Sequence, residues 1–127
     1  MLEPHVRRVL DGAPIAHLAT IQPDGSPHAT PVYVGTRGEH IVLFTGPNKR
    51  KARNLRRDPR LALSIAPPDN PFEPIAIRGL VVDWIEGDSA WPIIDRIVAK
   101  YVDMAYPRDE PRVVAVVVAD RQRVGIR

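Results

Sequence analysis

Six runs of this chain carry the alternating or continuous apolar pattern of strands, and three further runs repeat with a helical period. "PIAHLATI" (14–21) sets Ile15, His17 and Ala19 against Ala16, Leu18 and Thr20, which predicts a strand. It ends in "QPDGSP", where Pro and Asp-Gly predict a turn. "HATPVYVG" (28–35) and "HIVLFT" (40–45) read as strands joined by a hairpin-like loop containing Gly38. Pro31 lacks the N–H that a central ladder needs, so the second run is expected at an edge or a bulge. "RLALSIA" (60–66) is a fourth strand, and "IAIRGLVVDWIEG" (75–87) a long fifth with a bend at Gly79. "RVVAVVVAD" (112–120) is apolar on both faces and therefore expected to be deeply buried.

The helical runs differ in character. Residues 3–11 space Val6, Val9 and Leu10 along one face, with Pro4 near the start and Gly12 as a stop. Residues 88–103 place Trp91, Ile94, Ile97 or Val98, and Tyr101 on one stripe, with Ser89 or Asp88 as the expected cap. Between them, Lys49 to Arg57 is expected to be helical behind an Asn48 N-cap, ending before Asp58-Pro59. Its apolar stripe is thin, consisting of Ala52 and Leu55. Short strands, hairpin signals and a few helices predict a mainly β (α+β) fold: a small six-stranded antiparallel barrel with peripheral helices.

Composition narrows the function classes. With 127 residues, a single domain (1–127) is expected, with its own core. No cysteine is present, which excludes disulfides and thiolate chemistry. No stretch approaches the roughly 18 apolar residues of a membrane helix, so neither a membrane partner nor a location outside the cytoplasm is expected. The net charge of +3 is unevenly spread: Lys49 to Arg60 carries seven cations and one acid, leaving the rest of the chain at −3. A compact basic island suits a small, multiply charged anion better than nucleic acid, which is read by charge spread over a face and by stacking aromatics. No nucleic-acid partner is expected.

The island sits in an unfavourable place. Cations in the first turn of a helix oppose its dipole by roughly 0.3–1 kcal/mol each. Lys49, Arg50 and Lys51 would do so together, unless an anion such as phosphate binds there and reverses the sign.

The segment "VLFTGPNKRKARNLRRDPRLAL" (42–63) resembles the phosphate-binding signature of the pyridoxamine 5′-phosphate oxidase-like, FMN-binding split-barrel superfamily. There, a strand ending in aromatic-Thr is followed by Arg-Lys, an apolar residue and Asp/Asn-Pro-Arg. "LATIQPDGSPHATPVYV" (18–34) is similar to the superfamily's first hairpin, and residues 76–107 to its long fifth strand and following helix. "KARNLRRDPR" looks most like the actinobacterial branch that uses the deazaflavin coenzyme F420. The resemblance implies a Greek-key split barrel, a homodimer with cofactor at the interface, and hydride transfer to a small organic substrate.

Carried over by position, Arg50 and Lys51, with Lys49, would bind the cofactor phosphate. Thr45 would sit by the ribityl chain, and the backbone of Thr30, Pro31 and Val32 would lie against the ring. Asn54 would lie near the phosphate, and His28 would hydrogen-bond cofactor or substrate. The surplus cations Arg53, Arg56, Arg57 and Arg60 would meet the deazaflavin's polyglutamate tail, which favours F420 over FMN. The C-terminal "DRQRVGIR" lacks the aromatic that relatives often carry there. Any lid would come from "PPDNPFEP" (67–74) or from the partner subunit.

Three alternatives stay open: an FMN oxidoreductase, a non-catalytic flavin- or haem-binding relative, and a nucleic-acid-binding barrel. The histidines (His5, His17, His28, His40) have no metal-ligand spacing, although His17 and His28 fall on adjacent strands and are expected to be able to face each other. Ser26, Ser64 and Ser89 lack a nucleophile-elbow context, and no glycine-rich phosphate loop follows a strand. No catalytic acid or base is assigned.

Overall fold

In the computed structural model, which describes residues 1–125, the order is α1 (Pro4–Asp11), β1 (Ala16–Ile21), β2 (Pro27–Val32), β3 (Val34–Arg37), β4 (His40–Thr45), α2 (Arg50–Arg57), β5 (Arg60–Ile65), β6 (Ile75–Ile85), α3 (Trp91–Ala99) and β7 (Val113–Val124). All ladders are antiparallel, in the order β2-β1-β5-β6-β7-β4-β3. The two ends of this sheet are consecutive in sequence, so it curls round its core into a half-barrel. The seam between the ends is spanned by one residue, Tyr33.

That seam corrects the expected strand count from six to seven. Residues 28–35 do not run as one strand. β2 pairs with β1 as far as Val32, whereas β3 pairs with β4 from Val34 onward. The break has a side-chain cause. Tyr33 stacks on Tyr101 with ring centroids 4.2 Å apart, and the Val34 N–H donates to the Tyr101 hydroxyl at 3.2 Å instead of to β1. Pro31 does sit at an edge, because β2 is the terminal strand.

β4 and β7 are apolar on both faces because each lies between two cores. Ile41, Leu43, Ala115 and Val117 point inward to meet Val6 and Leu10 of α1, Leu55 of α2 and the aliphatic residues of β1, β5 and β6. Val42, Val114 and Val116 point outward and are covered by Ile93, Ile94, Ile97 and Val98 of α3. The long β6–β7 pairing shifts register between Arg78 and Gly79, where the bend was expected. A Cβ at Gly79 would come within 2.6 Å of the Val118 carbonyl oxygen, so only glycine lets the strands approach this closely.

Both outer helices start later than the sequence predicts. In α2 the N-cap is Lys49, not Asn48, because the Lys49 N–H closes a turn onto the Gly46 carbonyl at 3.1 Å. In α3 neither Asp88 nor Ser89 caps the helix. Gly87, at φ +66°, reverses the chain into a 3-10 turn over Gly87–Ser89, and Pro92 occupies the first turn of the helix. No helix among the described residues is long and apolar enough to cross a membrane.

Candidate functional site

A cavity of about 550 Å³ opens at the seam. Pro31, Val32 and Tyr33 form one wall, and Phe44, Thr45 and Gly46 at the end of β4 form the next. Lys49 and Lys51 enter from the start of α2, while Tyr106 and Arg112 come from the segment between α3 and β7. Phe44 meets Tyr106 edge to face, with centroids 5.1 Å apart at 79°, and lies 6.5 Å from Tyr33. One end is therefore an aromatic and apolar shelf, and the other is cationic.

Three features of the cationic end are unsatisfied as they stand. Thr45 is only 5% exposed, and its hydroxyl has no hydrogen-bond partner among the described residues. A buried hydroxyl without a partner is costly. Among the described residues no side chain caps α2, which leaves its first N–H groups without a side-chain acceptor. Lys51 is half-buried, and burial first, then the neighbouring Lys49 charge, holds its ammonium below the ordinary lysine pKa. An anion beside α2 would relieve the helix N–H groups and Lys51, and a polar tail running past β4 would satisfy Thr45. The residues present thus fit a flat ligand with an anionic tail.

Five of the residues expected from sequence line this cavity: Pro31, Val32, Thr45, Lys49 and Lys51. Thr30 and His28 project from β2 on the side opposite Pro31, toward their β1 partners Leu18 and Thr20. The His28 Nδ1 is buried without a hydrogen-bond partner among the described residues. His17 and His28 do not face each other. His17 pairs with Pro31 and Ser64 on the outer face of the sheet, one position out of phase with His28.

Arg50 is exposed on the first turn of α2 and does not line the cavity. Asn54 is fully buried, donates to the Thr20 hydroxyl at 3.0 Å and accepts from Arg57. Arg57 also donates to the Ile21 carbonyl. Asn54 and Arg57 therefore bolt α2 to β1, away from the cavity.

The surplus cations are largely engaged within the chain. Arg56 pairs with Glu86 at 3.0 Å and lies 4.1 Å over the Trp84 ring, and Arg60 pairs with Asp58 at 2.8 Å. With Arg57 tied to β1, only Arg53 of these four is left without such a contact among the described residues. Three of the four thus have partners within the chain, Arg60 a close neighbour in sequence and Arg56 and Arg57 distant ones. Within the one chain described, the segment expected as a lid lies away from this cavity. "PPDNPFEP" packs beside α1, where Glu73 meets His5 at 3.6 Å, and the segment carrying Tyr106 and Arg112 borders the cavity instead. Of the C-terminal "DRQRVGIR", residues 126 and 127 lie outside the described residues.

Sequence reasoning missed Ile15, Tyr33, Phe44, Gly46, Tyr106 and Arg112 as cavity residues. Tyr33 and Phe44 had a signal, since each adjoins an expected site residue. Tyr106 and Arg112 had none, because a loop's approach to a distant seam leaves no periodic trace.

A curled β half-barrel with an aromatic shelf and a cationic corner at its seam defines a split-barrel protein. The chain belongs to the pyridoxamine 5′-phosphate oxidase family, whose profile matches residues 2–124. A comparison with curated protein sequences finds no match. Among solved structures, an F420 reductase is similar at 25% identity and TM-score 0.85, covering 96% of this chain and 98% of that one. A conserved hypothetical protein from Mycobacterium tuberculosis is 26% identical with TM-score 0.74, over 98% of this chain and 84% of its own. The General Stress Protein 26 from Bacillus anthracis shares the fold, at 16% identity and TM-score 0.69, over 93% and 88% of the two chains.

Proposed function

We propose that this protein is a coenzyme F420-dependent oxidoreductase that binds the deazaflavin at the seam and reduces a small organic substrate. The observation that carries the reading is the presence, in the lining of one cavity, of both Thr45, whose hydroxyl has no partner among the described residues, and Lys51 at the uncapped start of α2. Lys51, with the free N–H groups of α2, binds the phosphate, and Arg50 adds positive field from the same turn. Thr45 donates its hydroxyl to the tail. The backbone of Thr30 to Val32 and the Tyr33, Phe44 and Tyr106 rings orient the ring system and exclude water from one side of it. When bound, the deazaflavin supplies the hydride, so the chain's own contribution is position, dryness and charge. The similarity to an F420 reductase along nearly the whole of both chains supports this choice.

The reading includes a homodimer. In support, the outer face of β1, β2, β5 and β6 carries small side chains at Ala19, Ala29, Ala62 and Ala76, a shallow shelf that another copy of the chain would cover. Ile15, 47% exposed on the cavity rim, would be shielded in the same way.

A second reading, FMN in place of F420, is favoured by one observation: Arg56, Arg57 and Arg60 are already engaged. Titrating the purified protein with F420 and with FMN, followed by fluorescence, separates the two. Tighter binding of F420 is the expected result, and tighter binding of FMN overturns the first reading. Binding of neither removes both.

A further inference from the structure

The seam cavity has a neighbour. A second cavity of about 390 Å³ lies beside Gly46, lined also by Pro47, Asn48, Glu110 and Pro111, and the two share Gly46, Lys49 and Arg112. Gly46 is buried. A Cβ there would lie 3.2 Å from Lys49 Cγ and 3.9 Å from Arg112 Nη1, so the two cationic side chains flank this backbone position. Lys51 lines only the first cavity.

Arg112 is held from one side. Its Nε donates to the Tyr106 hydroxyl at 3.3 Å, and its Nη1 to the Pro111 carbonyl at 2.8 Å and to Glu110 at 3.4 Å. Its Nη2 has no hydrogen-bond partner among the described residues. Its side chain is 16% exposed, whereas that of Glu110 is 65% exposed, which makes the ion pair loose and easily exchanged. Lys49 has no carboxylate within ion-pair distance among the described residues. Two cations thus share a wall between cavities, with one solvent-facing acid as counter-ion.

We propose that Lys49 and Arg112 form a second anion clamp, which takes an acidic group of the ligand, carboxylate or phosphoryl, beyond the phosphate held at Lys51. Glu110 stands in for that group until the ligand arrives and then swings to solvent. The clamp rests on the reading of the seam cavity as a cofactor site and sharpens it. The ligand carries two acidic groups spaced along its tail, as a glutamylated deazaflavin does and FMN does not.

Calorimetric titration with inorganic phosphate and with tripolyphosphate tests the clamp without any cofactor. In the wild-type protein, tripolyphosphate binds about tenfold tighter than phosphate, because a second charge-assisted contact is worth about one decade. In Arg112→Gln that ratio falls toward one while phosphate affinity holds, and Lys51→Gln weakens both ligands. Glu110→Gln tightens tripolyphosphate, and this variant carries the test should melting curves show that Arg112→Gln is unfolded. A wild-type protein with no preference, a ratio unchanged in Arg112→Gln, or a Glu110→Gln variant no tighter than wild type overturns the clamp.

A second arm compares F420 with the same deazaflavin lacking its glutamates. Arg112→Gln erases the difference if the tail is the source of the second group. Tripolyphosphate binding through Arg112 with no deazaflavin binding keeps the clamp and removes the cofactor reading.

Discussion

α2 and α3 are helices of eight and nine residues laid against the same sheet, and they hold to it by opposite means. α3 buries Ile93, Ile94, Ile97 and Val98 over the outward face of β4 and β7. α2 buries only Ala52, Leu55 and the amide of Asn54, ties Arg57 to β1, and turns its other four cations outward or toward the seam. Helix α3 is a packing element. α2 is fastened by a polar bolt and two small apolar contacts, and the cation of Lys51 is retained at a cost in stability. The difference shows where the proposed site draws its charge: from the element whose sequence fits its own backbone least well.

The largest effect is expected on the packing helix. Ile94 is fully buried, so Ile94→Ala loses about 2–5 kcal/mol, read from thermal or urea melts. At α2 the expected loss moves from the fold to the ligand. Lys51→Ala weakens phosphate or cofactor binding roughly 10- to 100-fold, equivalent to about 1.5–3 kcal/mol for a hydrogen bond to a charged group. Its melting temperature stays at or slightly above that of the wild type. A melting temperature that collapses instead breaks the comparison, because Lys51 is then structural.

Asn54→Ala tests the polar bolt. It leaves the buried Thr20 hydroxyl without its donor and costs about 1–3 kcal/mol, with ligand affinity changed less than in Lys51→Ala.

The smallest effects are those of pH. Since the folded Lys51 pKa lies below the ordinary 10.5, the unfolded chain binds more protons between the two values. The stability of the ligand-free protein therefore rises with pH through that window, and Lys51→Met removes the rise. The Asp58 pKa is lowered as well, but there it is the charged form that the fold favours. Hydrogen bonds from Arg60 hold its carboxyl at about 2, so its contribution is complete above 3.8 and is lost as pH falls to about 2. This carboxylate is only partly covered and its partner Arg60 is exposed, so Asp58→Asn flattens the acid limb only slightly.

Much of the fold was legible because burial imposes periodicity. The double-sided apolar run of β7, the edge position of Pro31 and the bend at Gly79 each follow from a local chemical necessity. The split at Tyr33 was not legible, since "VYV" suits a strand from end to end and only the distant Tyr101 interrupts it. Asn48 is a good N-cap by type, but the turn onto Gly46 decided the start of α2. The cationic corner of the site showed in the charge pattern. Its far wall did not, because Tyr106 and Arg112 reach it through a loop, and loops obey the surface they cross rather than a repeat. The partners of Arg56 and Arg57 were hidden by distance in sequence, since Trp84, Glu86 and Ile21 meet α2 only in the folded chain.

The one-residue stitch at Tyr33 has a mechanical consequence. Pro31 and Val32 belong to one lip of the curled sheet, Val34 begins the other, and the cavity is lined by the last two residues of the first lip and by the stitch itself. Whatever occupies it would bear on the first margin directly and on the second only through β4, at Phe44 and Thr45. Its release and the parting of the margins would then be linked. Amide exchange along β2 and β3 is expected to slow together on loading and to share one temperature dependence with the rate of escape.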